Sequence, residues 1–333
     1  MADTIIPSAL VQKAWAKDTW TAAIKESFFS KFMGKTSESI IHVKDDLKKE
    51  AGDTITLSLR MPLLGAGVEG DDVLEGNEEA MQFYDLPVTI NQIRHAVRLK
   101  GKMEEKKTAK NLRAEAKAGL KDWYAEKFDA LFFSKLTASP TSYRTVYGGD
   151  ATAEAGIVDA DKMTCAVISK AKRAASKRIT YVVNGVTHVV PKIRPIKVNG
   201  KSVYVMLVTL EQLRDLRTDS VWISAQENAN VRGEDNPIFS GAEGMYDGVV
   251  VYAHENVSVT ATGDTGANVG HALLLGAQAG CLAVGSDPEW NEETFDYGNK
   301  VGFEVGAIFG IAKSKFDGQD FACVHVMTGN KAD

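Results

Sequence analysis

Apolar and polar residues alternate along residues 53–60, which predicts a β-strand with one buried face. Residues 61–87 lose this alternation and contain four glycines, two prolines and a run of acidic residues, which predicts little secondary structure. A strand resumes over residues 88–99, with a change of face between Ile90 and Ile93 that suggests a bulge or a sharp twist. These segments together predict a long β-hairpin with an acidic tip, and a loop of this length is often ordered by a partner.

Residues 103–138 carry the strongest helical pattern, because apolar side chains recur there at steps of three and four residues. A continuous helix of that length would be about 50 Å long. A second helix is predicted over residues 159–177, starting near Asp159 or Asp161 and ending in basic residues, a polarity that suits the helix dipole.

The chain becomes rich in β-branched residues after residue 178. Asn184-Gly185 and Asn199-Gly200 each lie between such runs, which predicts two tight hairpins. Thr209 followed by Gln212 predicts a capped short helix over residues 209–218.

The remaining apolar runs predict buried elements. Val249–Val251 indicates a strand, and residues 270–284 fit either a buried helix or a pair of strands. Residues 301–311 and 321–326 predict two strands on either side of an Asp317-Gly318 turn, which we expect to close a central sheet.

Residues 1–50 form a predicted arm that is dense in aromatic residues but interrupted by charges, Pro7 and Gly34. Its aromatic residues are Trp15, Trp20, Phe28, Phe29 and Phe32. Such an arm could not bury these side chains alone, so we expect it to lie across the rest of the protein or across a neighbouring subunit.

Composition narrows the function classes. The 333 residues, 44% of them hydrophobic, suffice for one large or two joined domains with a sizeable core. A formal net charge of -5 disfavours a protein that wraps nucleic acid by neutralising phosphates. The sequence has neither an apolar run long enough to span a membrane nor a secretory signal at its start, so we expect no membrane partner. Cys165, Cys281 and Cys323 lack paired spacing and are expected to be buried free thiols.

Candidate chemical motifs are few. Gly65–Gly70 matches the GxGxxG pattern, but an acidic loop follows it, which favours a flexible loop tip over a dinucleotide site. The acidic residues at 69–79 could bind a hard cation or face solvent or a partner, and they lack the ligand spacing of a calcium loop. The basic run Lys170–Arg178 fits a solvated helix end better than a nucleic-acid patch. With six scattered histidines, we expect no catalytic residue, no metal and no cofactor.

The order of the predicted parts resembles the Hong Kong 97-type capsid proteins of tailed bacteriophages, and some segments resemble the subfamily first known from short-tailed, virion-polymerase-carrying coliphages. Residues 234–257 resemble a glycine-rich segment and valine strand of phage major capsid proteins in general. The segments that resemble the subfamily are Trp15 through Phe32, Arg214–Arg217, Leu273–Gln278, Asp296–Gly298 and Ile308–Ile311. The resemblance spans nearly the whole chain and implies an α+β capsid fold. Its parts would be an N-terminal arm (1–50), an extended loop (51–100), a peripheral domain (101–200) with spine helix 103–138, an axial domain (201–300) and C-terminal strands (301–333).

The resemblance implies a structural protein, not an enzyme, that assembles into hexamers and pentamers and then into an icosahedral head enclosing DNA. The candidate assembly-loop residues are Gly65, Gly67, Gly70, Asp71, Asp72 and Glu75, and the arm aromatics would contact a neighbour. The implied partners are further copies, a separate scaffolding protein and a portal, with packaged DNA nearby but not bound by sequence; a cement protein is left open. The location would be the virion, after assembly in the host cytoplasm.

The sequence departs from known capsid proteins of this type in two ways, and three alternative functions are left open. Residues 61–99 contain no lysine, so this loop should not form the lysine–asparagine isopeptide link known from one shell. No long charged helical stretch precedes the arm, so scaffolding would come from a separate chain or the sequence is a processed form. The alternatives are a bacterial nanocompartment shell, an enzyme using the GxGxxG loop, and a tail or decoration protein.

Overall fold

A computed structural model describes residues 27–46, 52–60, 63, 65–81, 83–107, 111–183, 186–198, 200–229 and 242–332. Within these ranges the α-helices are Lys102–Lys107 (α1), Leu112–Thr137 (α2), Cys165–Ser176 (α3), Leu210–Thr218 (α4) and Ser220–Ala229 (α5). The β-strands are Met33–Gly34 (β1), Ile41–Lys44 (β2), Thr54–Arg60 (β3), Phe83–Thr89 (β4), Asn91–Arg98 (β5), Thr145–Tyr147 (β6), Ile179–Val183 (β7), Val186–Val190 (β8), Ile196–Val198 (β9), Lys201–Val208 (β10), Gly244–Tyr246 (β11), Val249–Ala253 (β12), Val259–Thr260 (β13), Val269–Leu275 (β14), Gly280–Phe295 (β15), Lys300–Lys313 (β16), Lys315–Phe316 (β17), Gln319–Asp320 (β18) and Cys323–Gly329 (β19). The protein is therefore of the predicted α+β class.

The chain divides into two compact units, each assembled from separate stretches. Unit 1 consists of Met1–Ile55, Val88–Lys135 and Cys281–Ala312, and unit 2 consists of Thr56–Pro87, Leu136–Gly280 and Lys313–Asp333. Strand β15 is divided between them, with Gly280 in unit 2 and its other residues in unit 1. The consecutive segments expected from the sequence, including the peripheral and axial domains, remain predictions.

Unit 1 is built on a five-stranded sheet in the order β1-β2-β15-β16-β5. Helix α2 buries at least one side chain in each turn of its unit 1 part, including Ala116, Leu120, Tyr124, Phe128 and Phe132. The Tyr124 hydroxyl lies 2.6 Å from the carbonyl oxygen of Ile93 and 3.0 Å from that of Val305, and so ties α2 to β5 and β16. Burial raises the pKa of Tyr124, so the phenol stays protonated and acts as the donor.

Unit 2 is built on a second sheet with the path β11-β12-β10-β14-β19-β6, to which β13 adds at β14 and β9 at β10. Every residue of β14 and β19 is buried, as expected for central strands that are covered on both faces. Helix α3 packs against β19 and β6. The three cysteines are buried and free, as the sequence predicts.

Elements with strong local signals form as predicted. Strands β7 and β8 pair up to Val183 and Val186, and β9 and β10 pair up to Val198 and Lys201, so each hairpin turns through two residues. Thr209 and the glutamine three residues later form a reciprocal capping box at the start of α4. Residues 270–284 follow the strand alternative, as β14 and the start of β15.

The predicted 103–138 helix is wrong in its extent. Helix α2 begins at Leu112, and at about 1.5 Å per residue its 26 residues span about 39 Å, not 50 Å. Asn111 is not helical, and its side-chain oxygen accepts a hydrogen bond from the Ala114 amide at 3.2 Å. An asparagine that caps in this way starts a new helix, so the preceding residues form the separate helix α1.

The predicted start of the second helix is also wrong. Asp161 accepts a hydrogen bond from the Val158 amide at 3.0 Å and thereby stabilises a turn, and α3 begins only at Cys165. The Cys165 amide donates instead to the carboxylate of Asp219 at 2.9 Å, so a residue 54 positions away caps this helix.

The strands around residue 90 and at the C-terminus differ from expectation as well. β4 begins at Phe83 and pairs with β3, whereas β5 pairs with β16 in unit 1. The change of face near Ile90 therefore marks a change of sheet, not a bulge within one strand. Likewise β16 and β19 do not close one common sheet: β16 lies in the sheet of unit 1 and β19 in that of unit 2.

Candidate assembly regions

The loop at residues 65–81, which we call the acidic loop, follows β3 and leads into β4. Its backbone has positive φ at Gly67 (74°), Gly70 (66°) and Gly76 (93°), the conformation that favours glycine. The loop is held by its own hydrogen bonds: the Glu79 carboxylate accepts from the Gly65 amide at 2.6 Å. The three predicted glycines thus shape the loop, and their role in assembly remains a prediction.

The surface of the acidic loop combines charge with exposed apolar side chains. All its residues except Val68 are exposed, including the predicted assembly residues Asp71, Asp72 and Glu75. Large apolar side chains on and beside the loop are also exposed, at Leu63, Val73, Leu74, Met81 and Phe83. A structured loop that presents several large apolar side chains to solvent is typical of an interaction surface.

The acidic loop does not have the context of a dinucleotide site. Residues 65–81 contain no helix, and the amides of a helix N-terminus are what the GxGxxG fingerprint supplies to a pyrophosphate. An open concavity of about 670 Å³ is lined by two acidic side chains, Glu69 and Asp72, which would repel a phosphate. Across the described residues, no group of three or more His, Cys, Asp or Glu side chains could hold a metal ion.

The described part of the arm packs on the chain's own helix α2. The Phe29 ring lies 4.9 Å from the rings of both Phe132 and Phe133, and Phe28 stacks on Phe133 at 6.1 Å. Phe29 and Phe32 are buried. For these residues the structure thus shows burial within the subunit, the first of the two locations left open by the sequence. Trp15 and Trp20 lie outside the described residues, and arm contacts with a neighbour remain predictions.

Asp129 is a functional partner of the arm that the sequence pattern did not indicate. This buried carboxylate accepts hydrogen bonds from the Ser27 hydroxyl at 2.6 Å and from the Phe28 amide at 2.8 Å. A buried carboxylate needs such donors to offset the cost of its desolvation. On the helical pattern alone, an aspartate between Phe128 and Phe132 looks like a solvent-facing residue, so only tertiary structure shows its role.

Unit 2 contains a buried charged cluster that was also not predicted. The Lys313 ammonium lies 2.7 Å from one oxygen of Asp320, and the His325 Nε2 lies 3.3 Å from the other. Burial tends to raise the pKa of Asp320, but the His325 hydrogen bond and the Lys313 charge outweigh it, so the net pKa is lowered and the carboxylate stays ionised. Burial lowers the pKa of His325. The cluster is buried, so we assign it to stability.

Comparisons with known proteins agree with the architecture. A family model described as phage capsid protein matches residues 4–329. The major capsid protein of Pseudomonas phage KPP25 is 27% identical, with 94% of this chain and 93% of that protein covered. The capsid structure of Ralstonia phage GP4 is 31% identical with a TM-score of 0.81 over 92% of each chain. That of Cyanophage Pam1 is 22% identical with a TM-score of 0.77 over 100% of each chain, which supports the fold alone.

These matches confirm the predicted Hong Kong 97-type fold, while the likeness to the coliphage subfamily remains a prediction. None of the helices within the described ranges is long and apolar enough to cross a membrane. The family match extends over almost the entire sequence and includes both the acidic loop and the arm. The chain therefore belongs to the phage capsid protein family.

Proposed function

We propose that this chain is the major capsid protein of a tailed phage, whose copies form the hexamers and pentamers of an icosahedral head that encloses DNA. The match to the phage capsid family over residues 4–329 carries this proposal. The exposed apolar side chains of the acidic loop support it, because they become buried only if a partner covers them. A closed shell engages many interfaces at once, so each contact can be individually weak.

The proposal includes a structural and not an enzymatic role, with the virion as the location and the host cytoplasm as the place of assembly. The partners would be further copies of the chain, a separate scaffolding protein and a portal, with DNA nearby. A nanocompartment shell or a nucleotide-binding enzyme gains no support, since the matched proteins are phage capsids and the described residues 65–81 contain no helix.

Negative-stain electron microscopy of the purified protein, alone and after co-expression with a candidate scaffolding protein, tests the proposal. We expect capsomer rings or closed polyhedral shells of phage-head diameter. Small shells of uniform size would favour a nanocompartment, and tubes would favour a tail protein. A persistent monomer under both conditions would overturn the proposed function.

A further inference from the structure

Basic residues are concentrated in one stretch of unit 2. Residues 162–210, from just before α3 to the first residue of α4, contain ten of the 39 basic residues and none of the 44 acidic residues. The negative net charge therefore comes entirely from the rest of the chain. The basic run Lys170–Arg178, which the sequence favours as a solvated helix end, is only the first part of this stretch.

The fold fixes the end of α3 against the segment that follows β8. The guanidinium of Arg144, which is inaccessible to solvent, donates to the carbonyl oxygens of Ala174 at 2.6 Å and Pro191 at 2.7 Å. The Ile193 amide donates to the Ala175 carbonyl oxygen at 2.9 Å. Basic side chains at the end of the helix are thus held beside those that follow β8, although the β7–β8 hairpin separates them in the sequence.

The β9–β10 hairpin extends the same region, because the segment after β8 runs directly into β9. Strands β9 and β10 pair from Val198 and Lys201 onwards, which places the cations of the hairpin next to those of the preceding segment. The exposed basic side chains of the three segments, which we call the basic face, are Arg173, Lys177, Arg178, Lys192, Arg194, Lys197 and Lys201.

Most of the charge on the basic face is unmatched within the subunit. Arg178 and Lys192 form no ion pair with any residue that the structure describes. Arg194 donates at 2.5 Å to Gln278, a side chain without charge. An anion can therefore approach these cations without displacing a carboxylate of the protein.

The scarcity of apolar side chains indicates which kind of anion the basic face fits. Among the described residues between 162 and 208, Val182 is the only large apolar residue that is exposed. Protein partners usually bury aromatic or aliphatic side chains at the centre of an interface. Lysine and arginine side chains bind a phosphate backbone without such apolar contacts. The basic face therefore fits a nucleic-acid backbone better than it fits a protein.

The net charge of -5 disfavours wrapping of nucleic acid by the whole subunit, but it does not govern a local contact. At physiological ionic strength, exposed charges that lie more than about 8 Å apart are largely screened from each other. A phosphate at the basic face therefore responds mainly to the nearby cations. Asp247, a carboxylate that contacts α3, is itself paired with Lys172 at 2.6 Å.

We propose that the basic face binds the phosphate backbone of duplex DNA without regard to base sequence. The inference rests on the proposed function, which brings packaged DNA next to the copies of this chain. Contacts to phosphate carry no information about the bases, so any packaged sequence would be bound equally. A single contact can be weak, because the many copies of a shell act on one DNA molecule together.

Fluorescence anisotropy of a short labelled duplex with the unassembled full-length subunit tests this binding. We expect two unrelated duplex sequences to bind equally. The logarithm of the binding constant should fall linearly with the logarithm of the salt concentration, with a slope of about 0.9 for each phosphate contacted. The double variant Arg178→Gln/Lys192→Gln should reduce this slope by about 2, since each lost phosphate contact reduces it by about 1. Its affinity at low salt should fall on the order of tenfold or more.

A matched control removes two exposed lysines of unit 1, in the variant Lys106→Gln/Lys127→Gln, and should bind the duplex as the wild type does. Circular dichroism verifies that each variant folds. If the double variant of the basic face does not fold, Lys192→Gln alone takes its place, with an expected change in slope of about 1.

Poly-glutamate separates DNA from an acidic protein segment as the occupant. Duplex DNA carries one negative charge for about every 1.7 Å of its axis, whereas an extended polypeptide carries at most one for about every 3.5 Å. We therefore expect poly-glutamate to bind the wild type more weakly than the duplex does. Tighter binding of poly-glutamate would identify an acidic protein as the occupant and would overturn the proposal.

The outcomes also separate this inference from the proposed function. If the wild type forms no shell, the proposed function fails, whatever the affinity for DNA. If the wild type forms shells but does not bind the duplex, or if the folded variant of the basic face binds it equally well, only the DNA contact fails. If that variant binds DNA as the wild type does but forms no shells, the basic face is an interface between copies, which again overturns the DNA contact alone.

Discussion

Lys313 lies where β16 ends, and acceptors from separate segments of unit 2 enclose its ammonium group. The nitrogen lies 2.7 Å from Asp320 Oδ1, 2.6 Å from the Ala138 carbonyl oxygen and 3.2 Å from that of Ser139. These three acceptors match the three donors of an ammonium group. Lys313→Met keeps a side chain of similar length but removes the charge, and it leaves the Asp320 carboxylate buried without its cation.

The expected cost follows from what remains around Asp320, whose side chain is 0% exposed. Removing one partner of a buried ion pair costs about 3–5 kcal/mol. Thr141 still donates to the carboxylate through its amide at 3.1 Å and its hydroxyl at 3.0 Å, so we expect the lower end of that range. About 3 kcal/mol corresponds to a fall in Tm of about 6–12 °C for a unit of this size.

Thermal unfolding of the unassembled subunit, followed by circular dichroism, measures this effect. The control is Lys300→Met, because the Lys300 ammonium lies 3.7 Å from Asp296 in an exposed pair whose loss should cost less than about 1 kcal/mol. Adding Asp320→Asn to Lys313→Met should recover part of the Tm, since the carboxylate that lost its ammonium partner is then replaced by a neutral amide. Equal Tm losses for the two lysine variants, or no recovery in the double variant, would refute the reasoning.

Three further predictions follow from the same structure. The Asp219 carboxylate accepts hydrogen bonds from the Cys165 and Val221 amides, each at 2.9 Å, and these hydrogen bonds lower its pKa. Asp219→Ala should therefore lower the free energy of unfolding in urea near neutral pH by about 1–2 kcal/mol, and Asp219→Asn should lower it less. Burial lowers the pKa of His325, so the unfolded chain binds a proton more readily, and stability should fall as pH drops below about 6.5. Unfolding scans between pH 7 and 5 should show a flatter profile for His325→Gln, and coincident profiles would contradict this. Assembled shells should show no ladder of cross-linked subunits that peptide mapping traces to residues 61–99, because that segment contains no lysine.

Elements that depend on neighbouring residues could be predicted from the sequence. The Asn184-Gly185 and Asn199-Gly200 hairpins and the Thr209 capping box each form as predicted, because the turn or cap chemistry lies within four residues. The fold class was also accessible, since the order of arm, hairpin, helix and β-rich region is visible as a pattern. The predicted helix boundaries were wrong where a side chain distant in the sequence determines where the helix starts, as Asp219 does for α3.

The buried charges could not be predicted for a related physical reason. Asp129, Asp320 and Lys313 read as solvent-facing positions because a charge is usually placed in water. Each becomes stable in the core only through partners that are more than 100 residues away or across a sheet, such as Ser27 for Asp129 and Ala138 for Lys313. No spacing motif connects such partners, so sequence periodicity carries no signal for them.

The arm and the acidic loop show why apolar content alone does not locate an assembly surface. The sequence suggests Phe29 as an arm contact because an isolated arm could not bury it. In the folded subunit, however, Phe29 is inaccessible to solvent and packs against Phe132 and Phe133. The sequence pattern does not mark Val73 and Leu74 as contact residues, but in the folded subunit they are 68% and 60% exposed, respectively. The free energy available on assembly comes from surface that folding leaves uncovered. The acidic loop, with its apolar side chains beside unmatched carboxylates, is therefore the first place where contacts between copies should be sought.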